Sequence, residues 1–275
     1  MEKMLLLFVF IFLAACPTEA QVGTGTIVTF QLTRDKFVIA ADSRVNREGM
    51  PSDDHECKIS AFKTNSVIFA ATGIVGYPNN GVFDLMPSWN VMDEARRAVI
   101  AERMIGPTKT ATDAVKRISE FWESNMLTRW SKMMLYHPDL VRYTASKNNG
   151  GLTHGIFAAA RGGSIAIALT AIVFDNGNVK VEHPSNVDCT ANPCASGIVD
   201  VYNKYMTSGK EFMTASPKEV AAVGYELLRV IKLVDLTIAE DKSETIGGTI
   251  DALEFSNNGT IRWHYKKDNC PENSD

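Results

Sequence analysis

The sequence predicts an α+β protein in which antiparallel sheets are covered by helices, and three observations predict it. Short runs of β-branched and apolar residues come in pairs joined by turn signals, at residues 26–32 with 36–41 and at 246–255 with 260–265. Segments of helical period are bunched between such pairs instead of alternating with single strands, which argues against a βαβ array. The 275 residues are 45% hydrophobic and 22% charged, with neither an internal repeat nor a Pro/Ser-rich linker, so one sizeable core and one domain are expected.

The chain opens on an address. Residues 4–15 are an almost unbroken apolar run behind Lys3, ending before Pro17-Thr18-Glu19-Ala20. Such a run is too short to span a bilayer but suits the core of a secretory signal, with cleavage after Ala20 leaving Gln21 first. Leu13-Ala14-Ala15-Cys16 also resembles a bacterial lipobox, in which Cys16 would be acylated. Export follows on both readings, to a secreted, periplasmic or lipid-anchored state, and membrane contact only through such an anchor. Residues 1–20 are thus read as leader, 21–25 as a short propeptide and 26–275 as the domain.

In the domain, residues 26–32 alternate β-branched and polar side chains, Arg34-Asp35 is a turn, and 36–41 return as the second strand of a hairpin. A shorter pair falls at 59–62 and 67–71, closing on Thr72-Gly73. Helical periodicity fills 92–103 and 112–130, where Ala114, Ile118, Phe121 and Trp122 share a face behind cap residues near Thr112. Trp122 and Trp130 are read as helix-face core or interface residues. A polar loop at 146–151 leads to strands at 154–160, 164–174 and 178–183, with the last turn at Asp175-Asn176-Gly177-Asn178. Residues 197–206 are read as a helix, and 217–240 as one long helix with Pro at its start and Val220, Val223, Leu227, Val230, Ile231 and Val234 on one face. The closing hairpin turns at Asn257-Asn258-Gly259. Asn258-Gly259-Thr260 is a glycosylation sequon if the source is eukaryotic.

The formal charge of −4, with no basic stripe, excludes a dedicated nucleic-acid binder. Beyond Cys16 there are four cysteines, an even number in an exported chain. Cys189 and Cys194 flank a four-residue loop, leaving Cys57 and Cys270 as the long-range pair; four free thiols are the alternative. The CxxC spacing of a zinc site is absent. His154, His183 and His264 lie in or beside strands at spacings that suggest neither a metal site nor a catalytic triad. No metal or cofactor is called for.

Two blocks carry the chemistry: Gly25-Thr26-Ile27-Val28-Thr29-Phe30 with Val38-Ile39-Ala40-Ala41-Asp42-Ser43-Arg44, and Cys57-Lys58-Ile59 with Phe69-Ala70-Ala71-Thr72-Gly73. They resemble the proteasome-type N-terminal-nucleophile hydrolases, and the order of helices and closing strands extends the resemblance over most of the mature chain. It implies a four-layer αββα sandwich and a threonine exposed by cleavage between Gly25 and Thr26. A Thr hydroxyl needs an adjacent base, which its own freed α-amine supplies. An ammonium nearby favours the neutral amine and the developing alkoxide, and a carboxylate holds that ammonium.

By this resemblance Thr26 is the nucleophile, Asp42 the orienter with Arg44 beside it, Lys58 the cation and the Gly73 amide the oxyanion donor. Sixteen residues separate Thr26 from Asp42 and sixteen more separate Asp42 from Lys58, both the family's spacing. Singly these residues would read as a strand Thr, a surface ion pair and an ordinary Lys; at those intervals the active-site reading wins. Gly23-Thr24 repeats the cleavage-like dipeptide, so Thr24 is the alternative nucleophile. A turn at Arg34-Asp35 sets Asp42 opposite residue 27, which favours Thr26. Ser196, in Ala195-Ser196-Gly197, resembles the serine near the nucleophile's amine; a helix-capping role is the alternative.

In Glu244-Thr245-Ile246-Gly247-Gly248 the sequence departs from the family's pattern: Ile246 stands where Ser is expected and Ser243 where Asp is. Asp241 or Glu244 could take over the support of the amine. The resemblance implies a peptide or other amide substrate and a homo-oligomer packed through helices, while export leaves a monomer or dimer open. A different class stays in view: a non-catalytic relative that keeps the sandwich for binding or assembly.

Overall fold

The computed structural model describes residues 23–24, 26–44, 46–47, 57–78, 85–184, 188–208, 213–241 and 246–267. The segment read as a leader, with Cys16, and also Gly25, Ser243, Glu244, Thr245 and Cys270 lie outside them.

Strand β1 (Gly23–Thr24) pairs antiparallel with β4 (Asn46–Arg47) in a small ribbon, and between them run β2 (Ile27–Leu32) and β3 (Lys36–Ala41). The β2–β3 turn is tied by Thr33, whose amide donates to Lys36 O at 2.8 Å and whose hydroxyl accepts from Lys36 N at 3.2 Å. Strands β5 (Ile59–Phe62) and β6 (Val67–Gly73) follow, joined by a 3-10 turn at Lys63–Asn65. A ribbon of β7 (Gly76–Tyr77) and β8 (Trp89–Asn90) leads to α1 (Val91–Ile105), which Asn90 caps by accepting from Met92 N at 2.7 Å. Thr110 caps α2 (Ala111–Tyr136) in the same way, and α3 (Pro138–Lys147) starts on a proline.

Three long strands come next: β9 (Gly151–Arg161), β10 (Ser164–Asp175) and β11 (Asn178–Glu182). Then β12 (Cys194–Gly197) precedes helices α4 (Asp200–Ser208), α5 (Pro217–Val223) and α6 (Tyr225–Glu240), and β13 (Asp251–Ser256) with β14 (Ile261–Tyr265) closes the fold.

Two five-stranded antiparallel sheets result, in the orders β12-β2-β3-β13-β14 and β11-β10-β9-β6-β5. Alternation along each strand sends one set of side chains between the sheets and the other toward helices. Val28, Phe30, Ile39, Leu253 and Phe255 of the first sheet meet Ile59, Ile68, Ala70, Ile156 and Ala158 of the second. On the outer face of the second sheet, Phe69, Phe157 and Ile172 pack under α1 and α2 through Val99, Ile118 and Trp122. Ile27, Val38, Ala40 and Ala252 of the first sheet pack under Leu227, Val230, Ile231 and Val234 of α6. The order of layers is helix, sheet, sheet, helix, the αββα sandwich that the resemblance implies. Trp122 and Trp130 are fully buried in the helix–sheet core. No described helix is long and apolar enough to cross a membrane.

The elements differ from the sequence reading in four places. The single helix expected over 217–240 is two, because Gly224 sits at φ +84° and ends the first while the apolar period runs on through it. The helix expected from residue 197 begins at Asp200, and the residues ahead of it form β12, an edge strand held by pairing with β2. The strand expected from 246 begins at Asp251. The chain after Trp130 continues as helix to Tyr136 and, beyond His137, as α3 to Lys147, so the loop expected over 146–151 carries the end of a helix.

Candidate active site

The site grows from the end of the β2–β3 hairpin. Val28 faces Ala41 in the register, so the next rung brings Ile27 to Asp42. Asp42 N donates to Ile27 O at 3.2 Å, and Ile27 N donates to Asp42 Oδ1 at 2.9 Å. Asp42 Oδ2 accepts from Gly247 N and Arg44 N, both at 3.2 Å. Ser43 N and Arg44 N each reach Gly247 O at 3.1 Å, which clamps this turn to the segment ahead of β13. Asp42 is fully buried, and burial pushes its carboxyl above the usual carboxylate value against the pull of Lys58 and the three amides.

Thr26 stands at the head of β2 and Lys58 just ahead of β5 in the opposite sheet; both are buried to within 1%. Lys58 Nζ donates to Thr26 Oγ1 and, at 3.0 Å, to Arg44 O. An ammonium in a dry layer needs such oxygen partners and a counter-charge, and Asp42 is the carboxylate whose ionisation the Lys58 charge assists. The sandwich thus brings Thr26, Asp42 and Lys58 together across its two sheets. Arg44 adds its backbone at both ends, and its guanidinium packs on Gly247.

Gly73 ends β6 at φ +82°, and a Cβ there would fall 2.5 Å from Leu152 O. Ile74 N donates to Leu152 O at 2.9 Å, so by the alternation of the antiparallel ladder the Gly73 amide faces away from β9, toward the edge where Lys58 enters β5. Gly197 is held closer still. A Cβ at 197 would lie 1.9 Å from Thr26 O, and Ile198 N donates to that oxygen at 3.1 Å.

Ser196 lies on β12 opposite Val28 and is no helix cap. Its Oγ is 2.8 Å from Thr72 Oγ1 and 3.2 Å from His154 Nδ1. His154 and Thr72 were not legible as partners of the site, since 42 residues separate His154 from Ser196 and only the stacking of the sheets joins them. Beside them a cavity of about 360 Å³ opens between the sheets, lined by Phe30, His154, Ile156, Leu169, Ala171 and Ser196 among others.

Thr24 lies in the outer ribbon opposite Asn46, outside the two main sheets. Ile246 is buried in the core under α6, and its amide donates to Asp241 Oδ2 at 3.0 Å. Cys189 and Cys194 form a disulfide at the entrance of β12. Cys57 is disulfide-bonded as well, and Cys270 lies outside the described residues. The sequon's Asn258 is exposed, and its Oδ1 accepts from Thr260 N at 2.9 Å. Among the described residues no group of His, Cys, Asp and Glu is arranged to hold a metal ion.

Neither a protein-family model nor a curated protein matches the sequence at a significant level. Among solved structures the chain is similar to the Anbu (Gly-1) mutant from Hyphomicrobium sp. strain MC1, at 16% identity and a TM-score of 0.45, over 86% of this chain and 84% of that one.

Proposed function

We propose that the chain is an exported threonine-type amide or peptide hydrolase, activated by cleavage between Gly25 and Thr26. One observation supports it above the others: a buried lysine donates to the hydroxyl of the threonine that cleavage would make the first residue. In this reading the Thr26 hydroxyl passes its proton to its own α-amine as Oγ bonds to the substrate's carbonyl carbon. The Gly73 amide takes the oxyanion, and Lys58 stabilises the alkoxide as it develops. Collapse breaks the C–N bond, with the amine's extra proton going to the leaving nitrogen. Water then releases the ester-linked acyl group by the same route. Asp42 does no proton transfer; it offsets Lys58 and, through three amides, fixes the turn that positions it.

The test is labelling by an electrophilic β-lactone followed by peptide mapping. The reading expects one adduct, on Thr26, absent from Thr26→Ala. Intact mature protein that takes no label on Thr26 contradicts it.

A second reading, a non-catalytic member of the same fold used for binding or assembly, is favoured by Ile246. That position offers a buried methyl-bearing side chain where the resemblance wants a hydroxyl, and Asp241 is engaged by the Ile246 amide. On that reading Thr26→Ala alters nothing beyond small stability effects.

A further inference from the structure

The mechanism above makes no use of the His154 imidazole, which lies beside the site. Thr72 and His154 are register partners on β6 and β9, and the Ser196 hydroxyl from the facing sheet closes them into a polar cluster between the sheets. The cluster adjoins Thr26, because Gly197 and Ile198, the residues after Ser196, are those that touch the Thr26 carbonyl. The ring has a built seat. Gly151 leaves room for it, since a Cβ there would lie 3.2 Å from His154 Nε2, and both residues line the cavity.

Burial holds the His154 imidazole below its ordinary value of 6.5, so at neutral pH the ring is uncharged. Among the described residues no ion pair or charged hydrogen-bond partner of His154 opposes that. Its neighbours across the strands are Thr72 and Ala171, and Ser196 faces it from β12. Glu182 and Lys180 on β11 pair with each other at 2.9 Å, exposed Lys147 at the end of α3 stacks on Tyr143, and Lys58 and Asp42 are engaged at the head of β2.

A serine hydroxyl has one proton and two lone pairs. In the Nε2–H tautomer of the neutral ring the Ser196 O–H goes to His154 Nδ1 and one lone pair accepts from Thr72, which leaves the second lone pair for a donor at the Thr26 end. We infer that His154 is a positioning residue for the Thr26 reaction: through Ser196 it presents a fixed lone pair to the Thr26 amine, and its protonation reverses that hydroxyl. With Nδ1–H donating to Ser196 Oγ, the Ser196 proton turns outward and competes for the amine's own lone pair. Activity therefore falls as pH drops through the His154 value, below 6.5. This rests on Thr26 being the nucleophile.

The experiment is the pH dependence of β-lactone labelling at Thr26 in the mature protein, for wild type, His154→Leu and His154→Asn. His154→Leu is expected to slow labelling about tenfold at neutral pH, the worth of one positioning hydrogen bond. His154→Asn keeps an acceptor at the same place, so it restores most of that rate while the acid limb loses one of its ionisations. Wild-type and His154→Leu proteins with the same rate and the same acid limb overturn the inference and leave the nucleophile standing. Wild-type protein unlabelled at Thr26 at every pH removes the nucleophile itself, and this inference with it.

Discussion

Lys58 and Thr26 meet across the interface between the two sheets: the ammonium enters ahead of β5 and donates to the hydroxyl at the head of β2. Neither side chain reaches water. The contact therefore exists only when the sheets are stacked in register, which makes the candidate site a product of the whole sandwich and not of either hairpin.

Lys58→Ala is expected to cost about 3–5 kcal/mol, the range for removing one partner of a buried charge pair and stranding the other, here Asp42. Urea unfolding measures it. Lys58→Met, which fills the same space without charge, is expected to recover part of the stability and none of the Thr26 labelling. Labelling at the wild-type rate in either variant would contradict the role given to the ammonium.

Glycine substitutions separate close approach from backbone strain. Gly197→Ala drives a methyl to 1.9 Å from a backbone oxygen, and about 3 kcal/mol is expected, the upper end of ordinary overpacking. Gly163→Ala, at φ +75° with nothing within 4 Å, is expected to cost about 1 kcal/mol from the left-handed backbone alone. Equal losses in the two variants would contradict the packing of β12 against Thr26.

Asp42 makes stability depend on pH in a definite direction. Its carboxyl is held above 3.8 in the fold, so between that value and the folded one the native chain holds a proton the unfolded chain has released. Stability from this group declines as pH rises through that window. The stability of wild type minus that of Asp42→Asn, read from urea midpoints at successive pH values, is expected to fall with rising pH. A difference that grows with rising pH would contradict the burial of the group.

The sequence carried the local half of this site. Register in the β2–β3 hairpin follows from a short turn and a strict alternation, so Asp42 opposite residue 27 was legible, as were Gly177 and Gly259 in their turns. Lys58 could be reached only through a resemblance, because nothing local ties it to Thr26. Gly224 was missed because the apolar period of the flanking helices runs straight through it. β12 was missed because four residues of edge strand have no periodicity to read, and its hold on β2 is a contact across more than 160 positions. The His154–Ser196 pair depends on how two sheets stack, a relation that strand patterns do not encode.

The Cys189–Cys194 disulfide closes a small loop at the entrance of β12, whose other end touches Thr26. Replacing both cysteines by serine is expected to lower stability by about 2 kcal/mol, the low end for native disulfides because the loop is short. Thermal unfolding measures it, and slower Thr26 labelling is expected alongside as β12 loosens. Unchanged stability together with unchanged labelling would contradict the linkage between that loop and the site.

The most direct measurement is the mass of the N-terminal peptide of the mature protein. A chain that begins at Thr26 with a free α-amine is the expected result. A mature chain that keeps Gly25 attached, or starts at Gln21 or Cys16, has no amine on Thr26 to act as base and contradicts the hydrolase account.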